Sequence, residues 1–277
     1  MNYTNKKVAI TGYDGFLGAA LVKALKDAGA EVYSVNGDIR DPESFDTLDF
    51  TFDYLFHFGA PSSQILFKRK PAYCVETTLK GFMNAADVCK QNGIRLVYPS
   101  TGLLSQGKSN EYARCKQLCE DYAKGLNMDA IGIRIFAAYG EGEGHKADYA
   151  SVPYLFARDF AEEKVPVIFG DGNQVRDFIY IDDVVQAILH LAEECYDDVV
   201  DVGSGEQDSF NDIIDLLAGH ANIMIKPRYV DTPSEYVSET LANPSRMNEF
   251  YKPKVSFAEG MKLTYDSIVK ENKEINR

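Results

Sequence analysis

The chain has 277 residues, of which 45% are apolar and 26% are charged. This length is enough to bury a large hydrophobic core without disulfides or metals, and the composition is typical of a globular protein rather than a disordered one. The formal net charge of −13 disfavours nucleic-acid binding, because so negative a surface repels phosphate backbones at long range.

Targeting signals and metal-ligand patterns are absent from the sequence. The first residues have no apolar segment of the secretory type, and no stretch approaches the roughly 20 apolar residues of a membrane helix. The five cysteines form no CxxC pair, and the four histidines are scattered without ligand spacing. An odd number of unpaired thiols is typical of a reducing compartment. We therefore expect a cytoplasmic protein with no membrane segment and no metal site.

Apolar strands alternate with amphipathic helices in the first half of the chain. Strands are predicted at 7–11, 31–35, 54–58, 96–98 and 130–135, and helices at 16–28, 72–91 and 111–125. Strands that alternate with helices need crossover connections, which predict a parallel sheet.

The pattern changes after residue 135. A glycine-rich charged loop is predicted at 138–146, a strand at 165–169, and helices at 151–163, 182–195 and 209–219. The fold class is therefore α/β, namely a Rossmann-type doubly wound parallel sheet with a smaller mixed α/β lobe interleaved with it.

A glycine-rich turn follows the first strand in the segment 11–18, which reads TGYDGFLG. One glycine allows the tight turn, one lets a pyrophosphate approach the backbone, and one lets the helix pack closely on the strand. The helix N-terminus then presents free amides and a partial positive charge to the phosphates. Between an apolar strand and an amphipathic helix, this spacing predicts a dinucleotide site. Its residues are Gly12, Gly15, Phe16, Leu17 and Gly18.

The second strand ends at Asn36, where dinucleotide-binding folds place an acid for the adenosine ribose. An asparagine can hydrogen-bond a ribose hydroxyl, but it does not repel a 2′-phosphate, and Arg40 could attract one. NAD is the expected cofactor, and NADP stays open as the alternative.

Tyr112 and Lys116 form a Y-x-x-x-K pair on one face of a predicted helix. An ammonium group beside a phenol stabilises the phenolate and lowers its pKa, so Tyr112 could exchange a proton with a sugar hydroxyl. Thr101, at the end of the preceding strand, could donate a hydrogen bond to the same oxygen. We predict Thr101, Tyr112 and Lys116 as the catalytic residues.

Six motifs in this order resemble the extended short-chain dehydrogenase/reductase family of NAD-dependent nucleotide-sugar epimerases and dehydratases, over nearly the whole chain. The similar segments are 11–18, 37–41, 57–60 (HFGA), 100–116 with Ser100, Thr101, Tyr112 and Lys116, 134–140, and the pair 170–183 and 201–209.

The resemblance implies roles for further residues. The cofactor would also contact Asn36, Asp38, Ile39, Phe58, Gly59, Ala60, Tyr112, Lys116 and Ile135. The substrate, a nucleotide-diphosphate sugar, would contact Arg176, Phe136 and Ala137. Arg176 would grip the diphosphate, because a guanidinium fork suits phosphate oxygens.

The resemblance also implies a domain plan and an assembly. Residues 1–138 and 176–205 would form the dinucleotide-binding core, and residues 139–175 and 206–277 the nucleotide-sugar-binding lobe. The helices at 72–91 and 111–126 would pair across a two-fold axis in a homodimer. The sequence departs from the family at Asn36, at Ala137 where many members have Asn, and between the second and third strands, where the segment is short and lacks room for the usual helix.

The choice of reaction class is narrowed because no acidic residue follows Thr101 in the segment 102–105. Family dehydratases carry an Asp-Glu pair after the catalytic Ser or Thr, and family decarboxylases a nearby Glu, whereas Thr101 is followed by the segment 102–105, which reads GLLS. Elimination of water needs a carboxylate to take a proton, so both classes are disfavoured. We favour 4-epimerisation of a UDP-type sugar through a transient 4-keto intermediate. The alternatives are an NADPH-dependent 4-keto-sugar reductase and a non-catalytic nucleotide-binding protein.

Overall fold

A computed structural model describes residues 2–196, 198–233 and 236–275. The chain divides into two compact units, each built from separate segments. The first comprises Met1–Ile135, Val185–Val202 and Ser245–Lys252, and the second comprises Phe136–Val184, Gly203–Pro244 and Pro253–Arg277. These units are defined by packing alone, so the predicted division by binding role stays a prediction. Its outer limits, residues 1 and 277, lie outside the described residues.

Short strands and helices alternate along the described residues. The strands are β1 (Lys7–Thr11), β2 (Glu31–Ser34), β3 (Tyr54–His57), β4 (Arg95–Thr101), β5 (Ala130–Ile135), β6 (Ala137–Tyr139), β7 (Val167–Phe169), β8 (Val175–Arg176), β9 (Phe178–Tyr180), β10 (Val199–Val202), β11 (Asp208–Ser209) and β12 (Arg228–Val230). The helices are α1 (Phe16–Asp27), α2 (Gln64–Arg69), α3 (Pro71–Asn92), α4 (Gly102–Ser105), α5 (Glu111–Leu126), α6 (Val152–Ala161), α7 (Ile181–Glu194), α8 (Phe210–Ala221) and α9 (Phe257–Ile275).

The first unit contains a six-stranded parallel sheet in the order β10-β5-β4-β3-β1-β2. The apolar residues of β1 are fully buried, which is typical of a parallel strand covered on both faces. The order reverses at β1, so the chain winds outward in both directions from that strand, and the α/β doubly wound fold is confirmed. In such sheets, ligands bind outside the carboxyl ends of the strands next to the reversal point, here β1 and β3.

Helices α3 and α5 of the first unit have residues at their ends that suit helix capping. Asn110 caps α5, since its side chain accepts a hydrogen bond from the Ala113 N–H at 2.8 Å, and Asn127 ends the helix in the left-handed region. Gly93 ends α3 in the same conformation. Between β2 and β3, the chain forms only the 3-10 helix Pro42–Phe45, in agreement with the short segment seen in the sequence.

The core of the first unit lies where α3 and α5 pack on the sheet. Leu55 and Leu96 from the sheet meet Phe82 of α3 and Cys119 of α5, and all four side chains are buried. Each helix therefore has a buried face that fixes its rotation about its own axis. This packing determines which residues of α5 face the strand ends.

The second unit combines three small sheets with three helices. β6 pairs with β9, β7 with β12 and β8 with β11, while α6, α8 and α9 pack on one another. Ser209 caps α8 as the sequence predicts, in a reciprocal pair of hydrogen bonds with Asp212.

Two parts of the second unit differ from the sequence analysis. The predicted loop at 138–146 is wrong in part, because Ala137–Tyr139 pairs with β9 as β6 and Gly144–Tyr149 forms a 3-10 helix. The long helix α9 was not predicted, although it packs on α6 and α8. Among the described helices, none has the length and apolar character needed to cross a membrane.

Candidate active site

Two glycines of the first turn are required by the fold itself. Gly12 has φ +67°, and a Cβ there would lie 2.6 Å from the Phe58 carbonyl oxygen. A Cβ on Gly18 would lie only 1.8 Å from the Gly12 carbonyl oxygen. Any side chain at either position would force the turn away from the strand ends.

Gly15 is different, because its surroundings leave room. A Cβ there would meet only the Gly12 carbonyl oxygen, at 3.3 Å, and the backbone is in the ordinary extended region. Gly15 is also the N-cap of α1, and as a glycine it offers no side chain to cap the first amides of that helix. The first turn of α1 therefore offers an anion-binding end with open space above it, which is the arrangement that a pyrophosphate needs.

Thr101 and Tyr112 are brought together at the end of β4. The Thr101 hydroxyl oxygen accepts a hydrogen bond from the Leu103 N–H at 3.4 Å, at the start of α4. The same hydroxyl group lies close to the Tyr112 phenol and acts to lower the pKa of that phenol. Because the backbone amide already donates to Thr101, the hydroxyl proton is available to the phenol oxygen. The pair thus presents two hydroxyl groups at one point.

The predicted lowering of the Tyr112 pKa is not produced by the chain alone. Burial raises the pKa of Tyr112 to about 12, although the hydrogen bond from Thr101 acts in the opposite direction. The Lys116 ammonium lies 5.9 Å from the centre of the Tyr112 ring, and burial lowers its own pKa. Lys116 is 4% exposed, so both groups have lost most of their contact with water.

A buried network that the sequence analysis missed fixes this face of α5. Glu120, four residues after Lys116, accepts hydrogen bonds from the Ser100 hydroxyl and from Arg134, whose Nε lies 2.9 Å from Glu120 Oε1. Arg134 Nη1 also donates to the Ser105 hydroxyl in α4 at 3.3 Å. The spacing of Glu120 from Lys116 was a usable signal, because residues four apart share a helix face.

The end of β2 is held by polar contacts. Asn36 accepts a hydrogen bond from the Tyr13 hydroxyl at 3.1 Å and donates to the Ser34 carbonyl oxygen. Arg40 makes a two-pronged contact with Asp38 and a second ion pair with Glu76 at 3.4 Å.

The contacts of Arg40 affect the charges in the segment that follows β2. The Arg40 contact lowers the pKa of Asp38 to about 2, so Asp38 stays ionised. Two carboxylates therefore surround Arg40.

The second unit holds a partly buried cation. Arg176 in β8 lies 5.5 Å from the ring centres of both Phe210 and Tyr236. Its guanidinium donates to the backbone carbonyl oxygens of Val175 and Val237. Within the described part of the chain, no carboxylate forms an ion pair with it, and burial lowers its pKa. A partly buried guanidinium held by rings and carbonyls is suited to an anion.

Asp177 anchors the strand next to Arg176. It is fully buried and accepts hydrogen bonds from the Ser204, Gly205 and Ala242 amides, at 2.6 to 2.9 Å. Burial raises the pKa of this carboxyl, although these donors act against the rise. Asp177 was not predicted as a functional residue, and its contacts identify a positioning role.

The other predicted residues lie at strand ends and turns. In the first unit, Phe16 and Leu17 begin α1, Ile39 is buried after β2, Phe58, Gly59 and Ala60 follow β3, and Ile135 ends β5. In the second unit, Phe136 precedes β6, and the Ala137 N–H donates to the Asp177 carbonyl oxygen at 3.0 Å. The described residues contain no group of three or more His, Cys, Asp or Glu side chains arranged to hold a metal ion.

The chain is similar to known proteins over nearly its whole length. The model of the NAD dependent epimerase/dehydratase family matches residues 8–203. A putative UDP-glucose 4-epimerase of Methanocaldococcus jannaschii is 25% identical over 310 residues, which cover 96% of this chain and 99% of the relative.

Two solved structures are similar in fold. The UDP-glucose 4-epimerase of Thermotoga maritima, solved with UDP-glucose, has a TM-score of 0.90 and 24% identity, covering 96% of this chain and 99% of its own. The UDP-glucose 4-epimerase of Thermus thermophilus, solved with NAD, has a TM-score of 0.85 and 22% identity, covering 95% of this chain and 98% of its own.

The turn glycines give a matched pair of variants. Gly18→Ala places a methyl group 1.8 Å from a backbone oxygen, and we expect it to lower the melting temperature by about 5 °C or more. Gly15→Ala meets only one atom, at 3.3 Å, and we expect a melting temperature within about 2 °C of the wild type. Thermal unfolding followed by circular dichroism measures both. Equal melting temperatures for the two variants would contradict the difference in packing.

Proposed function

This chain belongs to the NAD dependent epimerase/dehydratase family, and from that premise we propose that it is a nucleotide-sugar epimerase that inverts C4 of a UDP-type sugar through a transient 4-keto intermediate. The observation that carries the proposal is the placing of Thr101 and Tyr112 close together beside buried Lys116. No acid follows Thr101 in α4, so the site has a proton-transfer group but lacks the carboxylate that an elimination needs.

NAD is the cofactor that we propose, and the first turn supports it. The open space at Gly15 and the N-terminus of α1 suit a pyrophosphate, while Gly12 and Gly18 keep the turn against the strand ends. When bound, NAD supplies the chemistry that oxidises a sugar carbon and reduces it again. The residues that would hold it are Gly12, Gly15, Phe16, Leu17, Gly18, Asn36, Asp38, Ile39, Phe58, Gly59, Ala60, Tyr112, Lys116 and Ile135.

Tyr112 would take the proton of the sugar 4-hydroxyl and later return it, while Thr101 hydrogen-bonds the same oxygen. The pKa of about 12 means that the phenol keeps its proton in the isolated chain. Lowering this pKa to about 7 requires roughly 7 kcal/mol of differential stabilisation. Lys116 does not achieve this by itself, so Tyr112 becomes a base only when a second positive charge lies beside it. The oxidised nicotinamide ring carries such a charge, which would restrict proton removal to the loaded enzyme.

The choice of NAD over NADP follows from Arg40. Asp38 and Glu76 both pair with this guanidinium, so it is already neutralised and is poorly suited to bind a 2′-phosphate. Asn36 still lacks the negative charge that rejects NADP, and this one residue favours the alternative, an NADPH-dependent 4-keto-sugar reductase.

An assay with the purified protein tests the reaction. We expect interconversion of UDP-glucose or a related UDP-sugar with its C4 epimer, without net consumption of dinucleotide. We expect Tyr112→Phe to lower kcat by about 100-fold or more, because the proton-transfer group is lost, and to leave NAD affinity nearly unchanged. Tyr122→Phe is the matched control, since Tyr122 lies on the same helix and its hydroxyl donates to Asp87.

The outcomes of this assay separate the candidates. Stoichiometric oxidation of NADPH by a 4-keto sugar, with no epimerisation, would replace the proposal by the reductase. Normal turnover by Tyr112→Phe would remove Tyr112 as the proton-transfer residue.

We propose that Arg176, Phe136 and Ala137 contact the substrate, with Arg176 on its diphosphate. In a chain of net charge −13, a dianionic substrate needs a local cation, and Arg176 has no carboxylate partner among the described residues. The nearby Phe210 and Tyr236 rings hold the guanidinium in place. The second unit, which contains these three residues and most of the predicted lobe (139–175 and 206–277), would therefore bind the nucleotide sugar.

Replacing Arg176 measures this contact. We expect Arg176→Ala to raise the KM for the UDP-sugar by about 10- to 1000-fold, because one or two charge-assisted hydrogen bonds are lost. Arg176→Lys should recover only part of this, since an ammonium cannot make the two-pronged contact. Arg228→Ala, an exposed arginine of the same unit, is the control. A loss of NAD affinity with unchanged substrate affinity would contradict the assignment.

We also infer a homodimer that forms through α3 and α5. These helices pack on each other, and Met83 and Leu118 on them are 44% and 53% exposed. Large apolar side chains on neighbouring exposed helix surfaces favour a contact between copies.

Light scattering after size-exclusion chromatography tests the dimer. We expect twice the 30.9 kDa of one chain for the wild type, and a monomer for the double variant Met83→Glu and Leu118→Glu. Met224→Glu changes an exposed methionine of the second unit and should leave the mass unchanged. A wild-type monomer would contradict the inference.

The cytoplasm is the compartment that we propose. All five cysteines are buried and none of them is in a disulfide, which suits a protein kept under reducing conditions. An epimerase of this kind would supply sugars for polysaccharide biosynthesis.

A further inference from the structure

A small cavity lies in the first unit, against Lys116. It has a volume of about 10 Å³, close to the smallest space that holds one water molecule. Its lining residues come from β3, α3, β4 and α5 and from the residue that follows β3 by three positions. They are His57, Ala60, Thr78, Phe82, Tyr98, Pro99, Lys116 and Cys119.

Two buried polar atoms of this lining have no hydrogen-bond partner among the described residues. They are His57 Nε2 and Thr78 Oγ1, and the two side chains are 2% and 1% exposed. A buried donor or acceptor without a partner costs about 1–3 kcal/mol, so groups of this kind in folded proteins are normally satisfied by water.

The hydrogen bonds of His57 determine which of its ring nitrogens carries the proton. Its Nδ1 lies 3.1 Å from Thr11 Oγ1, and that oxygen also accepts a hydrogen bond from the Gly59 N–H at 3.0 Å. The Thr11 hydroxyl proton can then be donated to Nδ1, and on that basis Nδ1 is assigned as the acceptor. Burial and the nearby Lys116 charge lower the pKa of His57 to about 3, so the ring is neutral. In this assignment Nε2 carries the single ring proton and is the donor at the cavity.

Lys116 is the third polar residue considered at this cavity, beside His57 and Thr78. Its charge acts on His57, and it lines the same cavity, where it needs acceptors for its ammonium protons. Thr78 can accept a hydrogen bond, whereas the neutral His57 ring offers only a donor here. Direct contact between the His57 Nε2–H and the ammonium would join two donors, so an acceptor must stand between them.

We propose that one buried water molecule occupies this cavity, accepts hydrogen bonds from His57 Nε2 and from the Lys116 ammonium, and donates one to Thr78 Oγ1. The water satisfies both unpartnered atoms and gives the buried ammonium an acceptor. His57 and Thr78 are thereby positioning residues, because they act on the reaction only through Lys116. The consequence for catalysis rests on the proposed function, whereas the water site itself does not.

The proposed water would stabilise the charged form of Lys116. Several titratable groups face the ammonium from the elements packed around it: Tyr112, Cys115, Cys119 and Glu120 from its own helix, His57 from β3, and Tyr98 from β4. Burial lowers the pKa of Lys116 most strongly, whereas Cys119, Cys115 and Glu120 act to raise it. A hydrogen bond from the ammonium to the water favours the charged form, so loss of the water must lower the pKa of Lys116 further.

Nuclear magnetic resonance on the full chain, without substrate, tests the site independently of activity. In protein labelled with ¹⁵N-histidine, with His57 assigned through His57→Gln, we expect a neutral ring protonated at Nε2 and a nuclear Overhauser contact from that proton to water. In protein labelled with ¹³C-lysine, with Lys116 assigned through Lys116→Arg, the side-chain signal gives the pKa of Lys116.

Thr78→Val removes the hydroxyl at nearly constant volume. We expect it to weaken the water contact of His57 and to lower the pKa of Lys116 by about one pH unit, as expected for the loss of one partner from a charge-linked hydrogen-bond network. Thr78→Ser keeps the hydroxyl and should behave as the wild type. Thr77→Val is the matched control, because Thr77 is the neighbouring buried threonine with an unpartnered hydroxyl that does not line the cavity.

Each result decides the proposal. A His57 ring protonated at Nδ1, a wild-type Nε2 proton without a water contact, or equal effects of Thr77→Val and Thr78→Val would overturn it. If no epimerase activity is found but these signals behave as expected, the water site stands and only the proposed function fails.

Discussion

The proposed active site of this protein depends on a single helical spacing. Tyr112, Lys116 and Glu120 follow one another at intervals of four residues, so α5 presents all three on one side. Glu120 is tied to the sheet by Ser100 and Arg134, and this ion pair fixes the rotation of the helix. Once that rotation is fixed, Tyr112 must meet Thr101 at the end of β4.

The cost of this arrangement is electrostatic. Placing Lys116 and Tyr112 away from water lowers the pKa of the amine and raises that of the phenol, and both changes disfavour the charged forms that catalysis would use. The proposed site would therefore not be active through Lys116 alone and would depend on groups that add charge or hydrogen bonds around it. In the second unit, Arg176 is a partly buried charge that lacks a carboxylate partner among the described residues.

Sequence patterns were sufficient for much of the fold. The six motifs and the alternation of strands and helices predicted the parallel sheet, the glycine turn and the Thr101, Tyr112 and Lys116 set, because each depends on local spacing. The small sheets and α9 of the second unit were missed or misplaced, since strands of two or three residues have too short a pattern to detect.

The sequence by itself determined which chemical groups are present and on which helix face or strand end each lies, because periodicities of two and 3.6 residues fix those directions. Only the tertiary structure decided the ion pairing and the protonation of these groups. Whether Arg40 is free or paired, whether Tyr112 is acidic or held neutral, and which nitrogen of His57 carries its proton all depend on groups distant in the chain. Burial and hydrogen bonding between such groups are set by packing, which no local spacing records.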